Sequence, residues 1–252
     1  MLKIVHITDT HILEKKEDTV HGIDVYSYLK KIAETIVPIK DVDCIIITGD
    51  IANFGEYDAY INVNELFENI DVHVYWLQGN HDFAEVMLQV STKVKIKADK
   101  SFIIKDTKFI LLQSVLQDEH DLPLNIGKGH LFNYELIFLK RELDENNFNH
   151  CVIALHHQPI LSNTWADQRI LDNREEFVNL ISKYPTVKVV LYGHQHISQI
   201  TQVNGIYFIC SPPASYPYNP NGPMFTLFDN MQGFGIIEID KSGKVFYEEY
   251  FI

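Results

Sequence analysis

The sequence predicts an α/β protein of mixed type, with two mixed β-sheets flanked by helices. Through the first two-thirds of the chain, short β-rich runs alternate with amphipathic helical patterns, which indicates crossover connections between mostly parallel strands. Three further pairs of β-rich runs are separated only by turn sequences, which indicates antiparallel hairpins. Because no change of composition marks a linker, residues 1–252 are interpreted as one domain.

The buried strands are predicted from short apolar runs at residues 2–8, 44–48, 72–77, 151–155 and 187–191. Helices are predicted where apolar residues recur at helical spacing. The first helix begins after Asp24, a suitable N-cap, and ends before Pro38. The four apolar faces are Val25, Tyr28, Leu29, Ile32 and Ile36; Tyr60, Val63, Phe67 and Ile70; Leu136, Leu139 and Leu143 after Asn133; and Phe177, Leu180 and Ile181 after Asn173.

The hairpin turns are predicted at residues 106–108, 204–205 and 240–243. Residues 211–233 are rich in Pro, Asn and Tyr and are too long for a routine connection in a compact domain. Loops of this length often carry function, so this segment is a candidate part of a binding site.

Net charge restricts the partners of the chain. Its 34 acidic and 21 basic residues give a formal charge of −13, which repels phosphate backbones, so duplex nucleic acid is not an expected partner. Bound cations invert such a field locally, so a small phosphorylated substrate remains compatible with the charge.

The cysteines and the N-terminal residues indicate a cytoplasmic protein. Cys44, Cys151 and Cys210 lie in apolar runs without the spacing of a metal or redox motif, which indicates core positions in a reducing compartment. Asp9 comes too early for the apolar region of a signal peptide, and no apolar run reaches the length of a membrane span. No membrane partner is therefore expected, and a homodimer is left open.

Five polar clusters each follow a predicted strand, where open α/β sheets bind their ligands. They supply carboxylate, amide and imidazole donors without a thiolate, a set that suits Mn, Fe, Zn or Co. The number of donors is about what two metal ions require. The clusters are Asp9-Thr10-His11, Gly49-Asp50, Gly79-Asn80-His81-Asp82, His156-His157 and Gly193-His194-Gln195-His196.

Spacing within the clusters predicts how they reach a common centre. A separation of two residues in Asp9-x-His11 and in His194-x-His196 lets both side chains of an extended segment point to the same side. A carboxylate shared by both ions is expected in the middle of a two-metal site. Asp50 is the only acid of its cluster and is therefore the predicted bridge.

In this order, the five motifs resemble those of the calcineurin-like metallophosphoesterases. Residues 6–13, 22–24 and 164–168 and the strand after Gly205 are further similar to the bacterial class III cyclic-AMP phosphodiesterases. The resemblance spans nearly the whole chain. It implies the metallophosphoesterase fold, a four-layer αββα sandwich.

Carried over residue by residue, the resemblance implies two metal ions and a set of catalytic residues, Asp50, Asn80 and His81. His81 would contact the phosphate without binding a metal. One ion would be held by Asp9, His11, Asp50 and His196, and the other by Asp50, Asn80, His156 and His194.

We therefore predict a phosphoric diester hydrolase that uses two divalent or trivalent metal ions and attacks a small phosphodiester with a metal-bridging hydroxide. Cyclic AMP is the favoured substrate because the resemblance extends to loops outside the metal motifs. A 2′,3′-cyclic nucleotide, a glycerophosphodiester, a phosphomonoester and a catalytically inactive binding scaffold are left open. His81 is predicted either to protonate the leaving alkoxide or to stabilise the charge of the transition state.

Three residues outside the metal motifs are candidates for substrate binding. Trp165 and Arg169 lie on a loop where an aromatic face and a cation could hold base and phosphate, or where they only pack the loop. His21 precedes the first helix near the Asp9 motif and is predicted to line the cleft. Tyr216 and Tyr218, in the long segment, either cover the site or pack beneath it.

The remaining polar residues near the motifs keep open roles. Asp82 either orients His81 or caps a helix that starts near Phe83. His157 is left out of the metal set, because in a continuing strand its side chain would point away from that of His156. It is predicted either to support the ligands from behind or to lie at the surface. The other histidines have no partner at ligand spacing and are interpreted as structural or solvated: His6, His73, His120, His130 and His150.

Overall fold

Two mixed β-sheets and five α-helices make up the architecture within the residues that the computed structural model describes, 1–115, 127–145, 147–228 and 230–252. His120 lies outside these described residues. The helices are α1 (Val25–Ile36), α2 (Tyr57–Phe67), α3 (Ala84–Ser91), α4 (Asn133–Asp144) and α5 (Arg174–Ile181). The strands are β1 (Leu2–Ile7), β2 (Cys44–Ile47), β3 (His73–Trp76), β4 (Ser101–Ile104), β5 (Thr107–Leu111), β6 (His150–Ala154), β7 (Val187–Tyr192), β8 (Gln199–Val203), β9 (Ile206–Cys210), β10 (Gly233–Ile239) and β11 (Val245–Phe251).

The strand order confirms the predicted mixture of parallel and antiparallel pairing. One sheet has the order β11-β10-β1-β2-β3, in which β1, β2 and β3 are parallel and β10 and β11 antiparallel. The other has the order β4-β5-β6-β7-β9-β8, with parallel strands at its centre and a hairpin at each edge. The three predicted hairpins are present, although Thr107 and Lys108 begin β5 rather than lie in the turn.

The two sheets pack face to face. Alternate residues of each strand point to opposite sides, so one face of each sheet contacts the other sheet and the opposite face contacts the helices. In β1, Leu2 and Ile4 face the layer between the sheets, whereas Val5 and Ile7 face the helices. Helices α1, α2 and α3 cover one sheet and α4 and α5 cover the other, which gives the expected αββα order of layers. Within the described ranges, no helix combines the length and the apolar character needed to cross a membrane.

The first helix begins where the sequence predicts. The Asp24 side chain accepts a hydrogen bond of 2.9 Å from the backbone N–H of Ser27, so Asp24 is the N-cap of α1. Such a cap stabilises a helix by about 1 kcal/mol. Cys44, Cys151 and Cys210 are buried and form no disulfide, as their apolar surroundings indicate.

A buried ion pair joins α4 to the second sheet. Lys108 of β5 lies 2.6 Å from a carboxylate oxygen of Glu142, which also accepts a 2.7 Å hydrogen bond from Ser101. Burial alone would raise the pKa of Glu142, but the hydrogen bonds from Lys108, Ser101 and Arg141 outweigh it and lower the pKa to about 2.

We therefore expect the contacts of Glu142 to make the free energy of unfolding decrease at acidic pH. The folded pKa of Glu142, about 2, lies below its ordinary value of 4.5, so the stabilisation is complete above that value and is lost as the pH falls from 4.5 toward 2. The loss amounts to about 3 kcal/mol. Urea unfolding at several pH values measures it, and Glu142→Gln should lack this component. Parallel pH profiles of the two proteins would contradict the assignment.

Candidate active site

The five polar clusters follow the C-terminal ends of β1, β2, β3, β6 and β7, and the fold brings these ends to one edge of the two sheets. Clusters that lie far apart in the sequence are therefore in contact. The Nε2 atoms of His11 and His196 are 3.0 Å apart, and Oδ1 of Asp50 lies 3.4 Å from Nε2 of His156.

The first group of donors comes from both sheets. Its ligand atoms all lie within 4.8 Å of one another, and each of its side chains is buried. His11 Nε2 is 3.4 Å from Oδ2 of Asp50, and His196 Nε2 is 3.7 Å from Oδ1 of Asp9. The group consists of Asp9, His11, Asp50 and His196, the set that the resemblance implies for one metal ion.

Hydrogen bonds fix the tautomers of this group so that it fits a cation. Nδ1 of His11 donates to Oδ1 of Asn53 at 3.0 Å, and Nδ1 of His196 donates to the carbonyl of Tyr216 at 2.6 Å. Both Nε2 atoms then present lone pairs to each other across 3.0 Å. This arrangement is repulsive by itself, and a cation between the nitrogens relieves the repulsion.

The second group surrounds His156, whose Nδ1 donates to the carbonyl of Thr48 at 2.8 Å. Its Nε2 therefore faces Oδ1 of Asn80 at 3.1 Å and Oδ1 of Asp50 at 3.4 Å, and can bind a cation there in place of a proton. Burial lowers the pKa of His156, but the carboxylate of Asp50 outweighs it and raises the pKa to about 9. The position thus attracts a positive charge, which suits a metal ion. His194 Nδ1 completes the group at 3.3 Å from His156 Nε2.

Asp50 lies between the two groups and contacts both. Its Oδ1 also accepts a 2.9 Å hydrogen bond from the backbone N–H of His81. Burial favours the neutral acid, but the surrounding histidines, His156 first, hold the pKa of Asp50 well below its usual value. The carboxylate is therefore ionised at the point where a bridge between two cations is predicted.

The backbone conformation of these residues corrects one expectation. The segments Asp9-x-His11 and His194-x-His196 are not extended, since β1 ends at Ile7 and β7 at Tyr192. Five predicted ligands have left-handed backbone with φ from 46° to 73°: Asp9, His11, Asp50, His194 and His196. Asp and His adopt this conformation more readily than most residues, and it turns alternate side chains of each segment toward one centre.

The structure places His157 closer to the site than the sequence indicates. Strand β6 ends at Ala154, so the alternation that directed His157 to the opposite face no longer applies. His157 is fully buried, its ring lies 4.5 Å from that of His194, and its Nδ1 lies 2.9 Å from Oγ of Ser114. A nitrogen of His157 falls within 4.8 Å of nitrogens of His156 and His194. The surface role is therefore wrong, and the role in support of the ligands remains.

Both interpretations of Asp82 are wrong. Its carboxylate accepts hydrogen bonds of 2.8 to 3.1 Å from the backbone N–H groups of Ile51, Ala52 and Gly79, and a 3.0 Å hydrogen bond from the Tyr60 hydroxyl. The residue at the N-cap of α3 is Phe83. Asp82 therefore joins the loop that carries Asp50 to the loop that carries Asn80. Burial and the charge of Asp50 raise the pKa of Asp82 to about 6.

We expect Asp82→Asn to lower the free energy of unfolding by about 3 kcal/mol, because an amide nitrogen would face backbone donors that then lack an acceptor. Tyr60→Phe removes two hydrogen bonds, the one that the hydroxyl donates to Asp82 and the one that it accepts from the backbone N–H of Phe83, and should cost about 2 kcal/mol. Urea unfolding of the metal-free proteins compares the two. Equal stability of Asp82→Asn and wild type would show that the hydrogen bonds accepted by the Asp82 carboxylate contribute nothing to the free energy of unfolding.

His81 lies beside the first group of donors, with its ring centroid 4.7 Å from that of His11. Its Nδ1 donates to the carbonyl of Asn53 at 2.8 Å, which leaves Nε2 as the ring nitrogen available to a ligand. Asn53 thus orients both His11 and His81, and the sequence analysis missed it. A single polar residue after the Gly-Asp motif gave no periodic signal that could have identified it.

A small cleft lies over the two groups of donors, and Asp50, Asn80, His194 and His196 form its floor. Trp165 and Arg169, the two candidates for substrate binding, line it together with Tyr216 and Tyr218 of the long segment and with Phe225, which was not predicted from the sequence. His21 is exposed and contacts Tyr216 edge-on, with ring centroids 5.0 Å apart. His21 lies outside the described lining of the cleft.

Comparisons with known proteins agree with this geometry. A 3′,5′-cyclic-nucleotide phosphodiesterase of Nostoc sp. is 29% identical over 244 residues, which cover 96% of this chain and 89% of that protein. The 3′,5′-cyclic adenosine monophosphate phosphodiesterase CpdA of Escherichia coli is 28% identical over 247 residues, 97% of this chain and 87% of that protein. The crystal structure of a dimetal phosphatase from Danio rerio shares the fold, with a TM-score of 0.73 at 14% identity over 98% of this chain and 95% of that one.

Residues 2–198, which include all five polar clusters, match the calcineurin-like phosphoesterase family. The motifs of the sequence, the two-sheet architecture and the group of buried donors able to hold metal ions agree with that match. The chain belongs to the calcineurin-like phosphoesterase family.

Proposed function

We propose that this protein is a binuclear-metal phosphodiesterase that hydrolyses a small phosphodiester, with a 3′,5′-cyclic nucleotide such as cyclic AMP as the favoured substrate. The observation that carries the proposal is the pair of donor groups that meet at Asp50. The proposed ligands of one ion are Asp9, His11, Asp50 and His196, and those of the other are Asp50, Asn80, His156 and His194.

The lining of the cleft supports a nucleotide as substrate. The Trp165 ring lies edge-on to Tyr218 and Phe225, with centroids 5.3 and 5.0 Å away, so an aromatic wall stands beside the donors. Aromatic faces of this kind stack on nucleobases. The Arg169 guanidinium, 4.9 Å from the centroid of the Phe225 ring, supplies the cation for a phosphate oxygen. The Nostoc and Escherichia coli relatives are named as phosphodiesterases of 3′,5′-cyclic nucleotides, which is consistent with this substrate class.

The residues of the chain have separate roles in the proposed reaction. When bound, two metal ions activate a water molecule and polarise the phosphoryl oxygens. Asp50 holds the two donor groups in register, and Asn80 places its amide oxygen toward His156. His81 donates Nδ1–H to Asn53, so Nε2 carries a proton only in the imidazolium form. Protonation of the leaving alkoxide and stabilisation of negative charge both require that proton.

Location and organisation remain part of the proposal. The three buried, unpaired cysteines support a reducing compartment, the cytoplasm. We also propose that residues 1–252 act as a single domain without a duplex nucleic-acid partner, in line with the charge of −13. A homodimer stays open.

A substrate panel tests the activity and its specificity. The protein is stripped with a chelator, reloaded with Mn²⁺, and assayed on bis(p-nitrophenyl) phosphate, cyclic AMP, 2′,3′-cyclic AMP, glycerophosphocholine and p-nitrophenyl phosphate. We expect metal-dependent hydrolysis of the diesters, with the highest kcat/KM for cyclic AMP. Equal rates on cyclic AMP, its 2′,3′ isomer and the glycerophosphodiester would sink the cyclic-nucleotide assignment while leaving a phosphodiesterase.

Two variants, one of an asparagine in the site and one of a histidine outside it, serve as controls for the substrate panel. Asn80→Ala should abolish most of the activity, whereas His73→Ala, an exposed histidine at the start of β3, should not change it. Hydrolysis that survives both chelation and Asn80→Ala would contradict the phosphoesterase mechanism. Absence of activity on every substrate with metal bound would favour the binding scaffold.

A further inference from the structure

A row of hydroxyl and imidazole groups runs through the layer between the two sheets and ends at Asp9. Consecutive members lie within hydrogen-bond distance of each other. The distances are 3.3 Å from Tyr247 Oη to Ser211 Oγ, 2.7 Å from Ser211 Oγ to His6 Nδ1, 2.9 Å from His6 Nε2 to Thr48 Oγ1, 2.9 Å from Thr48 Oγ1 to Thr8 Oγ1, and 2.9 Å from Thr8 Oγ1 to Asp9 Oδ2.

This row lies in the core between the two sheets, where the other side chains are mostly apolar. His6 follows Leu2 and Ile4 on the same face of β1, and those two residues belong to the core between the sheets. His6, Thr8, Thr48 and Ser211 are fully buried. A polar group in such a position costs free energy unless its hydrogen bonds are made, so packing alone gives no reason for a histidine at this point.

Two glycines enclose the row. A Cβ atom on Gly193 would lie 1.9 Å from Oγ1 of Thr8, and one on Gly235 would lie 2.3 Å from Oγ of Ser211. Thr8 and Ser211 therefore pack directly against the backbone of these glycines, where any larger residue would collide with the row. The hydrogen-bonded geometry is therefore held by backbone on both sides as well as by the bonds themselves.

The direction of the bonds from Ser211 to Asp9 follows from the last one. A carboxylate that binds a metal ion only accepts hydrogen bonds, so in the proposed site Thr8 donates to Asp9 and must accept from Thr48. Thr48 has then used its only proton and accepts from Nε2–H of His6. Nδ1 of His6 is left as an acceptor for the Ser211 hydroxyl. The single proton of the Tyr247 hydroxyl is 3.3 Å from two acceptors, Ser211 Oγ and Glu249 Oε1, so the row is directed from Ser211 onward. These donors thus all point toward Asp9.

We propose that His6 is a positioning residue whose Nε2–H tautomer, acting through Thr48 and Thr8, holds the Asp9 carboxylate in the orientation that metal binding requires. The proposal rests on the proposed function, because it assumes that Asp9 binds a metal ion. Burial lowers the pKa of His6 to about 3, so the imidazole is neutral at working pH and has one proton to place. The backbone N–H of His194 donates to Asp9 at 3.0 Å, so the row adds a second fixed donor to this carboxylate.

The tautomer of His6 tests the direction of the row without any activity assay. Two-dimensional ¹H–¹⁵N spectra of histidine-labelled protein distinguish a protonated ring nitrogen from an unprotonated one, and the signals of His6 are those lost in His6→Gln. We expect Nε2 to be protonated and Nδ1 to be unprotonated. A proton on Nδ1 would reverse the row and overturn the proposal.

The Mn²⁺ affinity of two variants tests whether His6 supports metal binding by Asp9. The two substituted side chains differ in how far their N–H donor extends. A Gln side chain carries its N–H donor to the position of Nε2 and can still reach Thr48, whereas an Asn side chain ends near Nδ1. Titration of the metal-free protein with Mn²⁺ alone should give a Kd close to wild type for His6→Gln. The Kd for His6→Asn should be weaker by about tenfold or more, as loss of partners behind a metal ligand typically causes.

His150→Gln is the matched control, since His150 is also a buried strand histidine, and its ring nitrogens have no partner among the described residues. This variant should bind Mn²⁺ like wild type. Equal Mn²⁺ affinity of His6→Gln and His6→Asn, at the wild-type level or below it, would overturn the positioning role. Failure of the wild-type protein to bind Mn²⁺ or to hydrolyse bis(p-nitrophenyl) phosphate would instead refute the proposed function, whatever the tautomer of His6.

Discussion

Replacement of Asp50 by asparagine is expected to lower kcat for a diester substrate by ~10³-fold or more, equivalent to about 4 kcal/mol of transition-state stabilisation. Its two carboxylate oxygens each lie 3.4 Å from a histidine of a different donor group, Oδ2 from His11 and Oδ1 from His156. An amide removes the negative charge and one of the two acceptor oxygens, so at most one group keeps an oxygen ligand from this residue and the bridge is lost. Initial rates on bis(p-nitrophenyl) phosphate at saturating Mn²⁺ measure the loss.

Metal binding separates this effect from loss of the fold. The Asp50→Asn protein should unfold cooperatively in urea and should bind fewer Mn²⁺ ions per chain than wild type. Residual activity above a tenth of wild type, with full metal occupancy, would exclude Asp50 as the bridge.

A second large effect, on stability as well as on activity, is expected from Gly79→Ala. A Cβ atom at this position would lie 2.1 Å from the backbone nitrogen of Asp50 and 2.2 Å from its Oδ1. The backbone of one of the two loops must therefore move, because the nearest obstacle is a backbone atom and not the end of a flexible side chain. We expect a loss of about 3 kcal/mol in the free energy of unfolding, measured by urea denaturation, together with a displaced Asp50 and lower activity.

Gly222→Ala provides the comparison within the same chain. A Cβ atom there meets only the side chain of Asn219, at 3.2 Å, so a small adjustment suffices. Its cost should stay within about 0.5 kcal/mol, as for most surface substitutions. If Gly79→Ala were no less stable than Gly222→Ala, close packing of the two loops would not explain the glycine.

Regular structure could be predicted from the sequence because its signals are local. Apolar runs located β1, β2, β3, β6 and β7 to within two residues at each end, and turn residues located the three hairpins. Asp24 and Pro38 bounded α1 for the same reason. The order of strands within each sheet is set by packing between distant segments, and no local pattern carries that information.

The approach of the clusters to one centre was also predictable, because the C-terminal ends of parallel strands meet at one edge of a sheet. The backbone conformation by which the ligands reach this centre could not be predicted. Asp9 and His11 follow a strand, which favoured an extended backbone, whereas both adopt positive φ. Tertiary hydrogen bonds hold this conformation, among them the bond between the backbone N–H of His11 and the carbonyl of Asp50.

Residues that act through other residues gave the weakest sequence signals. Asp82 looked like a partner of its neighbour His81 or a helix cap, yet its acceptors serve the backbone of a loop 30 residues away, at Ala52. His6 had no partner at ligand spacing and was interpreted as structural, although its contacts lead to Asp9. Such roles depend on side-chain contacts between strands that only the folded structure brings together.

Anomalous scattering from crystals of the Mn²⁺-loaded protein tests the central claim most directly. We predict two anomalous peaks, one contacted by Asp9, His11, Asp50 and His196 and the other by Asp50, Asn80, His156 and His194. A single peak, or a second peak bound by His157 in place of Asn80 and remote from Asp50, would contradict the two-metal site bridged by Asp50.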